Sequence, residues 1–226
     1  KAGERLVQRD LARTLRRIAA MGPRGFYEGP VAAALVKEVA AQGGLITAAD
    51  LRAYRVLERT PLKGTYRGWE VTAMGPPSSG GQVLLESLNL LEGWNLADQP
   101  EVTRWHLMAE SLRRAFLDRA RHLGDPEANP GMPLARLISK PYAAALRAGL
   151  DPAKASVSDP AQAQVPGEPE HTTHLSVVDR RGTAVALTTT LEDSYGSAIL
   201  VRGAGFLLNN EMGDFNAAPG LTDRDG

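Results

Sequence analysis

Two adjacent threonines near the end of the chain carry the clearest potential for covalent chemistry. Thr172 and Thr173 follow a proline-rich stretch and begin a run of residues typical of a β-strand. A threonine hydroxyl is a weak nucleophile, but it gains a base when cleavage of the preceding peptide bond frees its own α-amine. That amine titrates at about 7.7–8.0, so part of it is uncharged near neutral pH. Paired threonines are also ordinary strand formers, and these residues alone leave both interpretations open.

A second polar cluster follows the threonines. Three carboxylates, Glu192, Glu211 and Asp214, lie in segments that follow strand-like runs, and Thr188–Thr190 stands just before the first of them. Carboxylates near hydroxyl groups could hold an ammonium group or support acid–base chemistry. The alternative is a polar loop that caps strand ends, although sites also concentrate in such loops.

The elements that position these residues change character near residue 150. Apolar spacing, caps and breakers before that point predict helices and one hairpin. The predicted helices span residues 11–19, 30–43, 82–93 and 102–120, with a capping box at Thr47 and Asp50 and a hairpin over residues 62–73. The last part of the chain predicts short strands over residues 174–178, 183–190, 197–201 and 205–208. Helices followed by strands indicate the α+β class.

A segment over residues 150–171 separates the two parts. It holds four prolines among small and polar residues and has few large apolar side chains. Such a composition cannot bury enough surface to order itself, so we expect a flexible tether. The nucleophile candidate Thr172 follows the tether directly.

Composition excludes several classes of function. The 226 residues carry no net charge and no cysteine, which excludes disulfides, thiol nucleophiles and cysteine-based metal sites. The charge balance leaves no basic footprint for nucleic acid, and no apolar run is long enough for a membrane span. The loop over residues 75–81 lacks the Lys-Ser/Thr of a phosphate loop, and His122, Asp125 and Glu127 match no common metal spacing. We therefore predict no metal and no cofactor.

Motifs along the chain resemble those of the gamma-glutamyltranspeptidase family. The strongest is HTTHLSVVD, from His171 to Asp179, and the similarity covers the chain except the tether. The other matching segments are GFYEG (25–29), LRAY (51–54), YRG (66–68), PPSSGG (76–81), GTAVA (182–186), TTT (188–190), YGS (195–197) and GAGFLLNNEM (203–212).

The resemblance implies an N-terminal nucleophile hydrolase with a four-layer αββα sandwich, here incomplete at both ends. It implies a precursor that cuts itself between His171 and Thr172 and so makes Thr172 the N-terminal nucleophile. Thr190 matches the family's second, hydroxyl-bonding threonine. Glu211 and Asp214 match the residues that hold the α-amino group of the glutamyl substrate, and Glu192 adds a carboxylate where many members have asparagine.

The resemblance also implies how the chain is divided. Residues 1–171, with the tether 150–171, are expected to form the C-terminal part of a large subunit. Residues 172–226 are expected to form the N-terminal part of a small subunit, and both contribute to one αββα domain. We expect the arginine that grips the substrate carboxylate, and the Ser-Ser and Gly-Gly segments of the oxyanion hole, to lie outside residues 1–226.

The implied activity is γ-glutamyl transfer from glutathione or a related amide to water or an amine, without a cofactor or metal. The implied partners are a small-molecule donor, its acceptor, and large and small subunits from one precursor, with no nucleic acid and no membrane span; a homo-oligomer stays open. Members are often periplasmic or extracellular, no signal peptide is recognised in these residues, and a cytoplasmic location stays open. Glu192 leaves a cephalosporin or glutaryl acylase, or a poly-γ-glutamate-processing enzyme, as an alternative, and an inactive binding or scaffold relative as another.

Overall fold

The computed structural model describes residues 3–157 and 172–214, without the side chains of Thr172 and Asp214. Its contacts divide the chain into two compact units, one with residues up to 57 and from 172 onward, the other with residues 58–157. The helices are α1 (Arg9–Met21), α2 (Arg24–Tyr27), α3 (Gly29–Ala41), α4 (Ala48–Ala53), α5 (Gly80–Leu91), α6 (Glu101–His122), α7 (Leu134–Leu137) and α8 (Lys140–Arg147), with 3-10 turns at Leu96–Asp98 and Glu211–Asp214. The strands are β1 (Leu62–Tyr66), β2 (Trp69–Ala73), β3 (Thr172–Val178) and β4 (Ala184–Thr190).

The local signals read from the sequence correspond to these elements. The capping box at the start of α4 is complete: Asp50 N donates to Thr47 Oγ1 at 3.3 Å, and Thr47 N donates to Asp50 Oδ2 at 2.7 Å. Pro30 lies in the first turn of α3, where a missing N–H costs no hydrogen bond. The predicted helices and the first hairpin are therefore confirmed, and the short helices α2, α7 and α8 were not predicted.

The core of the first unit is built on α3. Val31, Leu35 and Val39 are spaced four residues apart, so they lie on one face of the helix and are buried together. Leu51 of α4 and Val201, from the segment after β4, complete this cluster. The segment that follows β4 is thus attached to the helices of its own unit.

A close approach fixes the same segment to α1. Thr14 Oγ1, buried on α1, donates to the carbonyl of Ala204 at 2.8 Å. Gly205 has φ +79°, and a Cβ there would lie 2.4 Å from the backbone nitrogen of Leu11. Only glycine fits both the conformation and the contact. This anchoring gives the loops on either side a rigid base.

The strands expected over residues 197–201 and 205–208 are not regular strands. The two runs join through one isolated bridge, Leu200 to Leu207, and through hydrogen bonds such as Val201 N to Phe206 O at 2.9 Å. The turn between them contains Gly203 and Gly205, both at φ +79°. Ala198 at φ +57° and Gly205 interrupt the extended backbone inside the two runs, so the prediction of two regular strands was wrong there.

The second unit is organised around α5, which is buried along most of its length. The antiparallel β1–β2 hairpin, with Leu62 opposite Ala73 and Tyr66 opposite Trp69, packs on it. A Cβ at Gly64 would lie 2.7 Å from Leu85 Cδ2, which shows how closely the hairpin approaches the helix. Helices α6 and α8 also pack against α5, so the helix forms the centre of this unit.

A strap, Gly149–Ser156, follows α8 and is hydrogen-bonded to α6. His106 Nε2 donates to the carbonyl of Asp151 at 2.9 Å, and Arg114 Nη2 donates to the carbonyl of Gly149 at 3.3 Å. Because His106 and Arg114 stand eight residues apart on α6, they hold the strap from one face of the helix.

The buried carboxylate of Glu110, between those two residues, holds the far end of the strap. Its oxygens accept from Ser156 Oγ at 2.6 Å, Ser156 N at 3.1 Å and Arg114 Nη1 at 2.8 Å. Burial by itself raises the pKa of this carboxyl, but the hydrogen bonds from Ser156 and Arg114 outweigh it and hold the pKa below the ordinary value. Glu110 is therefore an anion at neutral pH and a fixed anchor for the strap.

We expect Ser156→Ala to loosen the strap. The variant loses a hydroxyl bond to a buried anion, worth about 1.5 kcal/mol, which corresponds to about tenfold faster local opening. Hydrogen exchange of peptides over residues 149–157 measures this, with the α6 amides unchanged. Val157→Ala is the matched control, because Val157 is 95% exposed.

Low pH should also loosen the strap, because it protonates Glu110. A carboxyl whose pKa is lowered by folding contributes stability above its unfolded pKa, about 4.5, and that contribution is lost as the pH falls through the lower folded pKa. Opening of residues 149–157, measured by hydrogen exchange and corrected for the intrinsic exchange rate at each pH, should therefore become more frequent below about pH 4.5. Equal protection of Ser156→Ala and wild type would show that the Glu110 contact does not hold the strap.

The strap changes where the predicted tether can begin. Residues 150–157 are attached to α6, so any tether starts beyond Val157. Residues 158–171 lie outside the described part of the chain, and the tether stays a prediction there. Over the described residues, none of the helices combines the length and the apolar character that crossing a bilayer requires.

Candidate active site

The register of the β3–β4 hairpin determines which residues share a face. Thr172 is opposite Thr190, His174 is opposite Thr188, and Ser176 is opposite Ala186. Residues directly opposite each other in an antiparallel pair lie on the same face of the sheet, and the faces alternate along each strand. Positions 172, 174 and 176 therefore form a polar row with Thr188 and Thr190.

The opposite face of the hairpin has a different character. It carries Thr173 opposite Thr189, Leu175 opposite Leu187 and Val177 opposite Val185. Thr173 thus shares its face with four aliphatic side chains, whereas position 172 shares its face with hydroxyl groups and an imidazole. This difference favours Thr172 over Thr173 as the chemical residue of the pair.

His174 connects the polar row across the two strands. Its Nδ1 is hydrogen-bonded to Thr188 Oγ1 at 2.8 Å, and its Nε2 to Ser176 Oγ at 3.2 Å. Both ring nitrogens are engaged, so the imidazole is fixed two residues from Thr172. No role for His174 was predicted from the sequence. Its signal was the two-residue spacing on a strand, which places it on the face of Thr172.

Thr190 and Glu192 are joined at the end of β4. The backbone N–H of Glu192 donates to Thr190 Oγ1 at 2.9 Å. Glu192 adopts φ +75°, a conformation that residues other than glycine rarely take and that is enriched at functional sites. The same hydroxyl that was predicted to orient the nucleophile therefore also fixes the backbone of a predicted substrate-binding residue.

Asn210 fastens this turn to the segment after it. Its Oδ1 accepts from Asp193 N at 3.1 Å, and its Nδ2 donates to Asp193 Oδ2 at 3.2 Å. Its backbone N–H donates to the carbonyl of Leu191 at 3.1 Å, and its carbonyl accepts from Gly213 N at 2.9 Å. This role of Asn210 was not predicted from the sequence, although a side-chain amide that both donates and accepts hydrogen bonds is suited to it.

The hydrogen bonds of Asn210 bring Glu192 next to the 3-10 turn Glu211–Asp214. A Cβ at Gly213 would lie 2.1 Å from Glu192 Oε1, so the Glu192 carboxylate occupies the space beside that glycine. Glu211 N donates to Asn209 Oδ1 at 3.2 Å, which helps to shape the turn. The segments of all three predicted substrate-binding carboxylates, Glu192, Glu211 and Asp214, therefore meet.

The remaining predicted site residues are placed only in part. His171 lies outside the described residues, as do the side chains of Thr172 and Asp214. Their backbone neighbours nevertheless put position 172 opposite Thr190 and position 214 in the turn next to Gly213. In the described ranges 3–157 and 172–214, no group of three histidine or acidic side chains could hold a metal ion.

Comparison with known proteins identifies the family. The family model described as gamma-glutamyltranspeptidase matches residues 1–226. The glutathione hydrolase proenzyme of Pseudomonas sp. (strain A14) is 46% identical over 225 residues, which cover 97% of this chain and 38% of that protein. The chain thus spans well under half the length of this relative.

Two solved structures define the fold. A gamma-glutamyltranspeptidase from Helicobacter pylori is 38% identical, with a TM-score of 0.65 over 68% of this chain and 44% of that one. A cephalosporin acylase from Bacillus halodurans is 27% identical, with a TM-score of 0.79 over 97% of this chain and 39% of that one. The predicted class, an αββα sandwich of the N-terminal nucleophile hydrolase type present in part, is confirmed. By the match along its whole length, the chain belongs to the gamma-glutamyltranspeptidase family.

Proposed function

We propose that the full-length protein transfers the γ-glutamyl group of glutathione or a related γ-glutamyl amide to water or an amine, with Thr172 as nucleophile. The register of the β3–β4 hairpin is the main support for this proposal. It places position 172 opposite Thr190, and Glu192 follows Thr190 by two residues. The β3–β4 hairpin and the residues just after β4 thus supply a nucleophile, a hydroxyl partner and a carboxylate. The glutathione hydrolase named among the relatives supports the same donor.

The proposal begins with self-cleavage before Thr172. Thr172 Oγ attacks the carbonyl carbon of His171, its proton passes to the departing nitrogen, and an ester replaces the peptide bond. Water then hydrolyses the ester, leaving a carboxylate on His171 and a free α-amine on Thr172. Residues 1–171 and 172–226 then belong to separate subunits, in agreement with the word proenzyme in the name of the Pseudomonas relative.

The freed α-amine then serves as the base for substrate chemistry. It takes the Thr172 hydroxyl proton while Oγ attacks the γ-carbonyl carbon of the donor. The amide C–N bond breaks, the leaving amine takes the proton, and a γ-glutamyl ester remains on Thr172. Attack by water or an amine on that ester releases glutamate or a new γ-glutamyl amide and restores the hydroxyl. The Thr190 hydroxyl, fixed by Glu192 N, orients the nucleophile.

The donor is held by its charged end. Glu192, Glu211 and Asp214 come from segments that meet at the end of β4, and carboxylates there match the α-ammonium of a glutamyl group. Ammonium–carboxylate hydrogen bonds are about twice as strong as neutral ones, so this contact selects donors that carry a free amine. The site is therefore locally acidic although the chain as a whole has no net charge.

Acyl transfer to or from a different acid is the second candidate. The structural match to a cephalosporin acylase covers 97% of the chain and is the observation that favours it. An acyl group without an ammonium gains nothing from three carboxylates, which is why the γ-glutamyl donor is preferred here.

A substrate panel separates these functions. Full-length protein is assayed with γ-glutamyl-p-nitroanilide, glutaryl-p-nitroanilide and poly-γ-glutamate. We expect kcat/KM for the γ-glutamyl anilide to exceed that for the glutaryl anilide at least about tenfold, because the ammonium contact is worth about 1.5 kcal/mol or more. Turnover of the glutaryl anilide alone would establish the acylase, cleavage of the polymer alone would establish the polymer-processing enzyme, and no turnover by cleaved protein would establish an inactive relative.

A further inference from the structure

Glycine at position 213 leaves space that the Glu192 side chain fills. A Cβ built on Gly213 would lie 2.1 Å from Glu192 Oε1, 2.9 Å from Cδ and 3.0 Å from Oε2. All three atoms belong to the end of one flexible side chain, and no backbone atom is as close. The carboxylate of Glu192 therefore occupies the position that any side chain at residue 213 would need.

The backbone of Glu192 directs its side chain to that space. Glu192 is held at φ +75°, and its N–H is bonded to Thr190 Oγ1. The turn with Gly213 is fastened to the same region through Asn210, whose carbonyl accepts from Gly213 N at 2.9 Å. Hydrogen bonds thus fix the backbones of both residues. The position of the Glu192 carboxylate then depends on the space beside Gly213.

We propose that Glu192 and Gly213 act as a matched pair that sets specificity for donors with a free α-ammonium. Gly213 is the permissive member, because it lets the longer glutamate carboxylate lie against the turn Glu211–Asp214. The pair adds a third negative charge to the two that the turn supplies. The inference rests on the proposed function and assigns to position 213 a part in donor selection.

The direct test is Gly213→Ala in the full-length protein. The added methyl group conflicts only with the end of a flexible side chain, so the fold is kept and the Glu192 carboxylate must move by about 1 Å to restore contact distance. Losing one charge-assisted hydrogen bond should raise KM for γ-glutamyl-p-nitroanilide about five- to tenfold and change kcat less than about twofold. Turnover of the glutaryl anilide, which has no ammonium, should not change.

Two further variants isolate the pair. Glu192→Asn shortens the side chain by one methylene and removes its charge, so adding Gly213→Ala to that variant should cause no further rise in KM. This non-additivity is the signature of two residues in contact. Gly131→Ala is the matched control, since a Cβ at Gly131 meets nothing within 4 Å.

Binding of L-glutamate and of glutarate, measured by calorimetry, gives a readout that does not depend on turnover. We expect Gly213→Ala to weaken L-glutamate five- to tenfold and to leave glutarate unchanged. Wild-type affinity for L-glutamate in Gly213→Ala, or an equal loss in the Glu192→Asn background, would overturn the matched pair. If Gly213→Ala weakens L-glutamate but not glutarate as expected, and the wild-type protein turns over no γ-glutamyl donor, the proposed function is refuted and the matched pair is not.

Discussion

Thr172→Ala should abolish both self-cleavage and γ-glutamyl turnover of the full-length protein. Alanine keeps the strand backbone but removes the hydroxyl proposed to attack the preceding carbonyl, and removal of a nucleophile lowers kcat by about 10³-fold or more. Intact mass after prolonged incubation measures the cleavage, and γ-glutamyl-p-nitroanilide hydrolysis measures the turnover. The expected product is a single uncut polypeptide.

The neighbouring threonine provides the matched control. Thr173 pairs with Thr189 on the face that carries Leu175 and Val177, so Thr173→Ala should cut itself and turn over donor within a few-fold of wild type. Thr172→Ser, which keeps a hydroxyl, should recover cleavage. The assignment of Thr172 as nucleophile would be wrong if the Thr172→Ala variant still cleaved before position 172. It would also be wrong if Thr173→Ala lost activity while Thr172→Ala kept it.

A buried pair of carboxyl groups in the second unit carries the other large effect. Glu86 of α5 is fully buried, and its Oε1 has no hydrogen-bond donor in the surrounding structure. Burial and the neighbouring Asp118 carboxylate of α6 raise the pKa of Glu86 to about 8. Protonation of Glu86 removes its repulsion with Asp118, while Gln82 donates to Glu86 Oε2 and Tyr142 Oη donates to Asp118 Oδ2 at 2.6 Å.

The raised pKa makes Glu86→Gln a stabilising change at neutral and alkaline pH. A carboxyl that ionises near 4.5 when unfolded but near 8 when folded costs nothing at low pH and an increasing amount as the pH rises between those values. The cost reaches about 3 kcal/mol at pH 7. Glutamine keeps the shape and donor of the protonated acid, so it should raise the free energy of unfolding by about 4 kcal/mol at pH 8 and by less than about 1 kcal/mol at pH 5.

Native-state hydrogen exchange of the α5 amides at pH 5 and pH 8, corrected for the intrinsic rate at each pH, measures this difference. Glu70→Gln is the matched control, because Glu70 is exposed on β2 and pairs with Lys63 at 3.8 Å, a surface contact worth less than about 1 kcal/mol. If Glu86→Gln is no more protected than wild type at pH 8, burial beside Asp118 does not raise the pKa of Glu86 as expected.

The parts of this molecule that sequence could predict are those specified by nearby residues. The capping box at Thr47 and Asp50, the helix signals of α3 and the motif from His171 to Asp179 each depend on a few consecutive residues, and each was read correctly as structure or family. Local signals failed where a short-range turn competed with strand propensity, as at Gly203 and Gly205. They also placed the start of the tether too early, because the contact between Ser156 and Glu110 joins residues 46 apart.

The sequence by itself determined the family, and through that resemblance it predicts a threonine nucleophile and the acidic residues expected beside it. Only the tertiary structure decided how those residues meet. The pairing of position 172 with Thr190 depends on strand register, and the meeting of Glu192 with Gly213 depends on a left-handed backbone at Glu192 and on Asn210 bridging to Asp193. Contacts of this kind form between segments far apart in the chain, and their strength depends on geometry that residue types do not encode locally. For that reason the glycine at position 213 carried no signal in the sequence, yet the structure assigns it to the candidate site.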